Sequence, residues 1–102
     1  EMSASLVGSE MCIRDSISQG GVTGTVVDYK LIVKRAVERL AQGILLVHNH
    51  PSGNPLPSDA DTLITEKLVR AASLFEITVA DHVIITSGEC YSFRSHGFFD
   101  RL

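Results

Sequence analysis

The sequence predicts an α/β domain. A strand-length apolar run, Ile44-Leu45-Leu46-Val47, lies between two stretches with helical spacing. A second, β-branched run, Ile77 to Thr86, follows directly behind the later of those helices. At 102 residues the chain has room for one domain with one adequate core.

Residues 1–16 show neither helical nor strand periodicity, and their apolar residues stand singly among Ser, Gly and charge. The run Leu6 to Ser16 resembles the translation of a transposon-end sequencing adapter. Residues 1–16 are therefore read as a non-native segment, set apart from fold reasoning, and 17–102 as the domain. The expectation is that 1–16 packs little apolar surface and can be removed within about ±0.5 kcal/mol. From Ile17 to Val27 the Gly, Thr and Val content and the Gly20-Gly21 pair predict a short strand with a loop.

Asp28 is placed to cap a helix whose apolar positions are Tyr29, Val33, Ala36, Val37 and Leu40, ending at Gln42-Gly43. Lys30, Lys34, Arg35, Glu38 and Arg39 fill the other face, a pattern that fits a solvated helix surface. Ile44–Val47 reads as a strand buried on both faces. The second helix starts at Ser58, with Ala60, Leu63, Ile64, Leu68, Ala71 and Phe75 as its apolar stripe. In the strand 77–86, Ile77, Val79, Val83 and Ile85 alternate onto one face, with Asp81 in the same parity. Ser87-Gly88-Glu89 is a turn, Cys90–Phe93 a short returning strand, and Gly97-Phe98-Phe99 a closing turn.

The chemistry is concentrated between His48 and Asp61. His48 and His50 follow the apolar run at i and i+2, so on a strand both imidazoles point to one side. A loop holding all three prolines, Pro51, Pro55 and Pro57, leads to Ser58 and Asp61 at the start of the second helix. Two imidazoles and a carboxylate leave a tetrahedral Zn²⁺ one open position, as in catalytic rather than structural zinc sites. A plainer account competes for part of this pattern. Ser58-Asp59-Ala60-Asp61 is by itself a capping box, with Asp in place of the usual Glu or Gln.

The spacing His48-x-His50, seven residues, Ser58, two residues, Asp61 resembles the metalloprotease signature of the JAB/MPN+ (JAMM) family. The wider stretch from Ile17 to Phe93 is similar to the bacterial RadC branch, through Ser18 to Asp28, His48 to Gly53, Asp81-His82 and Tyr91-Ser92-Phe93. This resemblance implies a three-layer MPN/JAB fold of cytidine-deaminase-like type, a mixed sheet flanked by helices, here N-terminally truncated with its first strands missing. It implies zinc held by His48, His50 and Asp61, and an activated water that attacks a peptide or isopeptide carbonyl. Ser58 would be catalytic as donor to the developing oxyanion. The family's general-base glutamate comes from an upstream strand. Glu1 and Glu10 are the only glutamates there, and neither stands in a strand-like context. The expected activity is therefore that of an impaired zinc metallopeptidase. The missing strand would also leave a sheet edge open to self-association.

Two further function classes compete with this reading. The family carries an association with DNA repair, but the net charge of −3 lacks the basic footprint of a DNA binder. Consecutive His48-Asn49-His50 also differs from His-Asn-His nucleases, which spread those residues over a ββα unit. The other class is a metal-stabilised interaction module without activity. No apolar run approaches the ~20 residues of a membrane span, and no signal peptide opens the chain. Cys12 and Cys90 are too few for a disulfide framework, so a cytoplasmic protein with free thiols is expected. The Asp81-His82 pair could help to orient a metal ligand, but strand neighbours face opposite ways, so His82 reads as a structural histidine and His96 as a surface one.

Overall fold

The structure is a computed structural model that describes residues 2–8, 12–18, 28–50 and 53–102. In chain order it has β1 (Met2–Val7), β2 (Cys12–Ser18), α1 (Tyr29–Glu38), β3 (Gly43–Asn49), α2 (Asp59–Ser73), β4 (Thr78–Ile85) and β5 (Cys90–Ser92). A 3₁₀ turn follows at Phe99–Arg101. The five strands form one sheet in the order β2-β1-β3-β4-β5. Only β3 and β4 run parallel, joined through α2; the other neighbours are antiparallel. The fold is thus α/β with a mixed sheet, as expected. The described helices α1 and α2 contact each other and share one core with β1, β3 and β4, so they lie on one face of the sheet. No third layer appears among the described residues.

The expectation that residues 1–16 pack little apolar surface is overturned. Residues 2–7 and 12–18 pair as an antiparallel hairpin, and β1 also pairs with β3 from Met2↔His48 to Val7↔Gly43. Ala4 and Leu6 alternate onto the helix-covered face and are buried at 0% and 2% exposure. Short strands need only two or three inward residues, and Ala4-x-Leu6 supplies them without a visible longer period. The edge of β3 expected to be open is covered by β1. Of the stretch 17–27, Ile17 and Ser18 end β2, and the remainder lies outside the described residues.

α1 begins as anticipated, with Asp28 accepting the Lys30 amide at 2.9 Å. Its buried residues are Ile32 and Ala36, while Val37 is partly exposed and Leu40 is 84% exposed. The helix stops earlier than Gln42-Gly43. Ala41 N–H bonds Ala36 O and Leu40 N–H bonds Val37 O, which is a Schellman ending with Leu40 at φ 52°. α2 ends the same way: Ile77 N–H bonds Ala72 O, Glu76 N–H bonds Ser73 O, and Glu76 sits at φ 58°. Both left-handed positions hold residues that carry a Cβ, although glycine fits them better. Leu40→Gly and Glu76→Gly should each stabilise the fold by about 1 kcal/mol in urea unfolding. Unchanged or lowered midpoints in both would refute these helix endings.

β3 is buried on one face rather than two. Ile44 and Leu46 are fully buried toward the helices, whereas Leu45 and Val47 are only half-buried on the other side. β4 carries the largest departure from the expected alternation. Its pairing with β3 steps from Ile44↔Val79 to Leu45↔Asp81, so Ala80 is an extra residue, a β-bulge. The bulge moves every later residue to the opposite face. Val79 faces the core before it; His82 and Ile84, not Val83 and Ile85, face the core after it. The turn before β5 forms as expected, with Thr86 and Glu89 exchanging backbone and hydroxyl bonds.

Candidate metal centre

The carboxyl end of β3 and the amino end of α2 meet at one point, the usual location of ligand sites beside parallel strands. Alternation along β3 puts His48 and His50 on the same face as Ile44 and Leu46. Ser58 caps α2: its Oγ accepts the Asp61 amide at 3.1 Å, and Asp61 Oδ2 accepts the Ser58 amide at 2.9 Å. The capping box is complete despite the aspartate at N3. The cap fixes the Asp61 side chain and leaves it facing the two histidines. Capping and site formation are therefore one arrangement.

His48 Nδ1 lies 2.9 Å from Asp61 Oδ1, at angles that make no hydrogen bond. His50 Nε2 lies 3.3 Å from Asp61 Oδ2, and the two imidazoles meet edge to face with centroids 4.4 Å apart. The other ring nitrogen of His50, Nδ1, is 2.9 Å from the carbonyl of Asn54. A carbonyl only accepts, so the proton sits on Nδ1 and the neutral ring turns a bare Nε2 toward a carboxylate oxygen. Two electron pairs facing each other are unfavourable unless the ring is protonated or a cation lies between them. A donor atom from each of His48, Asp61 and His82 lies within 4.8 Å of the others, a group that could hold a metal ion; His50 is not in that group.

The Asp61 carboxylate is 4% exposed. Burial works to raise its pKa, but the adjacent His48 imidazole and the Ser58 amide outweigh this and hold it well below the usual carboxylate range. The charged form is thus kept at neutral pH.

His82, read from the sequence as structural, sits inside this cluster. The bulge at Ala80 turns it inward, where it is fully buried, and a donor atom from each of His48, Asp61 and His82 lies within 4.8 Å of the others. Its ring stacks on Phe93 at 4.6 Å and meets the Thr65 hydroxyl at 2.6 Å. Thr65 also lies on the buried face, because the apolar stripe expected of α2 is rotated. The buried face is Asp61, Thr65, Leu68 and Ala72, whereas Leu63 and Phe75 are half-exposed or more. The i,i+4 spacing of Asp61 and Thr65 was the available signal.

Asp81 faces away from the cluster and binds β4 to the chain after β5. It accepts from the Ser92 hydroxyl and from the amides of His82 and Arg94. His96 is exposed and stacks on Tyr91, as expected of a surface residue. Cys90 is exposed and free. Among the described residues no helix is long and apolar enough to cross a membrane.

Burial lowers the His82 pKa to about 4 from an ordinary 6.5. The unfolded chain then binds a proton more readily than the folded one between those values. Stability from this group is present above pH 6.5 and lost as pH falls toward 4. Asp61 adds a further loss below 3.8, its ordinary value. Metal-free protein should lose up to about 1.4 kcal/mol per pH unit within the upper window. His82→Phe should flatten that part of the urea-midpoint profile. An equally steep profile in the variant would contradict the assignment.

The chain matches the RadC-like JAB domain over residues 8–98, a span that begins inside the segment set apart above. It is 45% identical over 83 residues to a UPF0758 protein of Flavobacterium johnsoniae, covering 81% of this chain and 36% of that protein. A UPF0758 protein of Caldanaerobacter subterraneus is 43% identical over 86 residues, 84% of this chain and 37% of the relative. The UPF0758 protein YfjY of Escherichia coli (strain K12) is 39% identical over 89 residues, 87% of this chain and 56% of that protein. The chain thus spans about a third of the first two relatives and just over half of the third. This chain belongs to the RadC-like JAB domain family.

Proposed function

We propose that His48, His50 and Asp61 hold one Zn²⁺ and that the site is of the metallopeptidase type, directed at a peptide or isopeptide bond. The observation that carries this reading is the bare Nε2 of His50 opposed to the Asp61 carboxylate, 3.3 Å away. A cation between them converts a repulsion into two bonds. The chemistry supplied at such a centre is Lewis acidity, which polarises a carbonyl oxygen and makes water more acidic.

The residues around the centre have separable tasks. Asp61 contributes charge and is aimed by the Ser58 amide. Ser58 is exposed at the helix start, and its Oγ spends an electron pair on the Asp61 amide, which leaves its own proton to donate to a developing oxyanion. Such a contact is worth roughly 3 kcal/mol where comparable donors have been removed. No second carboxylate accompanies Asp61 in the metal-ligand cluster among the described residues, and Glu1 and Glu10 lie outside them. Among the described residues no second carboxylate is there to deliver a proton to the leaving amine, and slow hydrolysis is expected of this chain.

The test is cleavage of a fluorogenic isopeptide substrate, with metal removed by chelation and returned as Zn²⁺. Slow, Zn²⁺-dependent cleavage is expected. No Zn²⁺-dependent cleavage, even in a chain supplied with a strand glutamate, would refute the hydrolase reading.

A further inference from the structure

We propose that His82 is a fourth protein donor to the metal centre, with its Nε2 set as the ligand atom by Thr65. This rests on the reading of His48, His50 and Asp61 as a metal site and adds a ligand to it from β4.

The argument follows one proton. Thr65 Oγ donates to the backbone carbonyl of Asp61 at 2.6 Å. A hydroxyl has a single proton, so toward His82 Nδ1, also at 2.6 Å, the same oxygen must accept. His82 therefore carries its proton on Nδ1, and Nε2 is a bare electron pair. That Nε2 is buried and has no hydrogen-bond partner among the described residues. An unsatisfied buried nitrogen is costly, and native interiors rarely leave one.

The position of the ring makes a metal the fitting partner. Donor atoms of His48, Asp61 and His82 fall within 4.8 Å of each other. The Phe93 ring, stacked at 3° to His82, fixes the plane of the imidazole. A ligating histidine that gives its other N–H to an oxygen is the common way such rings are oriented. His50 obeys the same rule through Asn54. Two independent backbone carbonyls, Asn54 and, through Thr65, Asp61, thus select the tautomers of two rings.

His82 would add a third imidazole to the donors His48, His50 and Asp61 that would hold the ion.

The test uses the whole chain, ¹⁵N-labelled and loaded with ¹¹³Cd²⁺ as probe. Long-range ¹H–¹⁵N correlation of the metal-free protein should show His82 protonated on Nδ1. After loading, scalar coupling to ¹¹³Cd is expected at Nε2 of His82 as well as at His48 and His50. Coupling at His48 and His50 but not at His82 would overturn this inference and leave the three-ligand centre standing. Failure to bind one equivalent of cadmium would overturn both. As a second readout, Thr65→Val frees the ring from its lock and should weaken Co²⁺ binding 10–100-fold. His82→Ala should alter the visible Co²⁺ spectrum; an unchanged spectrum and affinity in both variants would contradict the fourth ligand.

Discussion

Exchange of residues 1–16 for the matching strands of a natural relative, glutamate included, is expected to raise isopeptide turnover at least ~100-fold. The estimate follows from the roles left unfilled at the site. Asp61, the two histidines and Ser58 are in place, but departure of an amine needs a proton delivered in the transition state. General acid–base assistance contributes typically 10²–10⁴-fold, and bulk water replaces it poorly. β1 pairs with β3 up to Met2↔His48, so this hairpin is the element that borders the histidines. Mutating the introduced glutamate to Gln should remove the gain and leave zinc content unchanged. Equal turnover by the original and exchanged chains would show that the original chain already holds a proton-transfer group and would contradict the impaired-hydrolase reading.

Leu6→Ala is expected to destabilise the fold by about 3 kcal/mol, within the 2–5 kcal/mol found for buried leucines. Leu6 is 2% exposed, pairs in register with Ile44, and belongs to the core that also contains Ile32, Leu46 and Leu68. A domain of this size holds roughly 5–15 kcal/mol in total, so the loss is a large part of it. Urea unfolding of the full chain reads it directly. A change within about ±0.5 kcal/mol, as for exposed positions, would mean that β1 does not pack and that the core starts later in the chain.

The contrast between these residues shows what the sequence makes legible. His48, His50 and Asp61 could be brought together on paper because strand alternation and a helix cap are local rules with fixed geometry. His82 could not, because its facing depends on the bulge at Ala80, and an alternating pattern read without the bulge inverts everything after it. α2 misled for a related reason. Its inward face carries Asp61 and Thr65, so a search for apolar periodicity selected the neighbouring residues Leu63 and Phe75. Local patterning fails where a site replaces core, which is where such failures are expected. β1 was overlooked because Ala4-x-Leu6 is too short a signal to stand out, and its burial comes from pairing with β3.

Zinc stoichiometry and affinity, measured on the same protein and on His48→Ala and Asp61→Ala, test the metal centre most directly. The expected result is one Zn²⁺ per wild-type chain by elemental analysis. Both variants should bind at least ~100-fold more weakly in competition with a chelator, beyond the 10–100-fold typical of losing a supporting partner. Far-ultraviolet circular dichroism at neutral pH should confirm that each variant remains folded. Undiminished zinc content in both variants would place the ligands elsewhere and contradict the account.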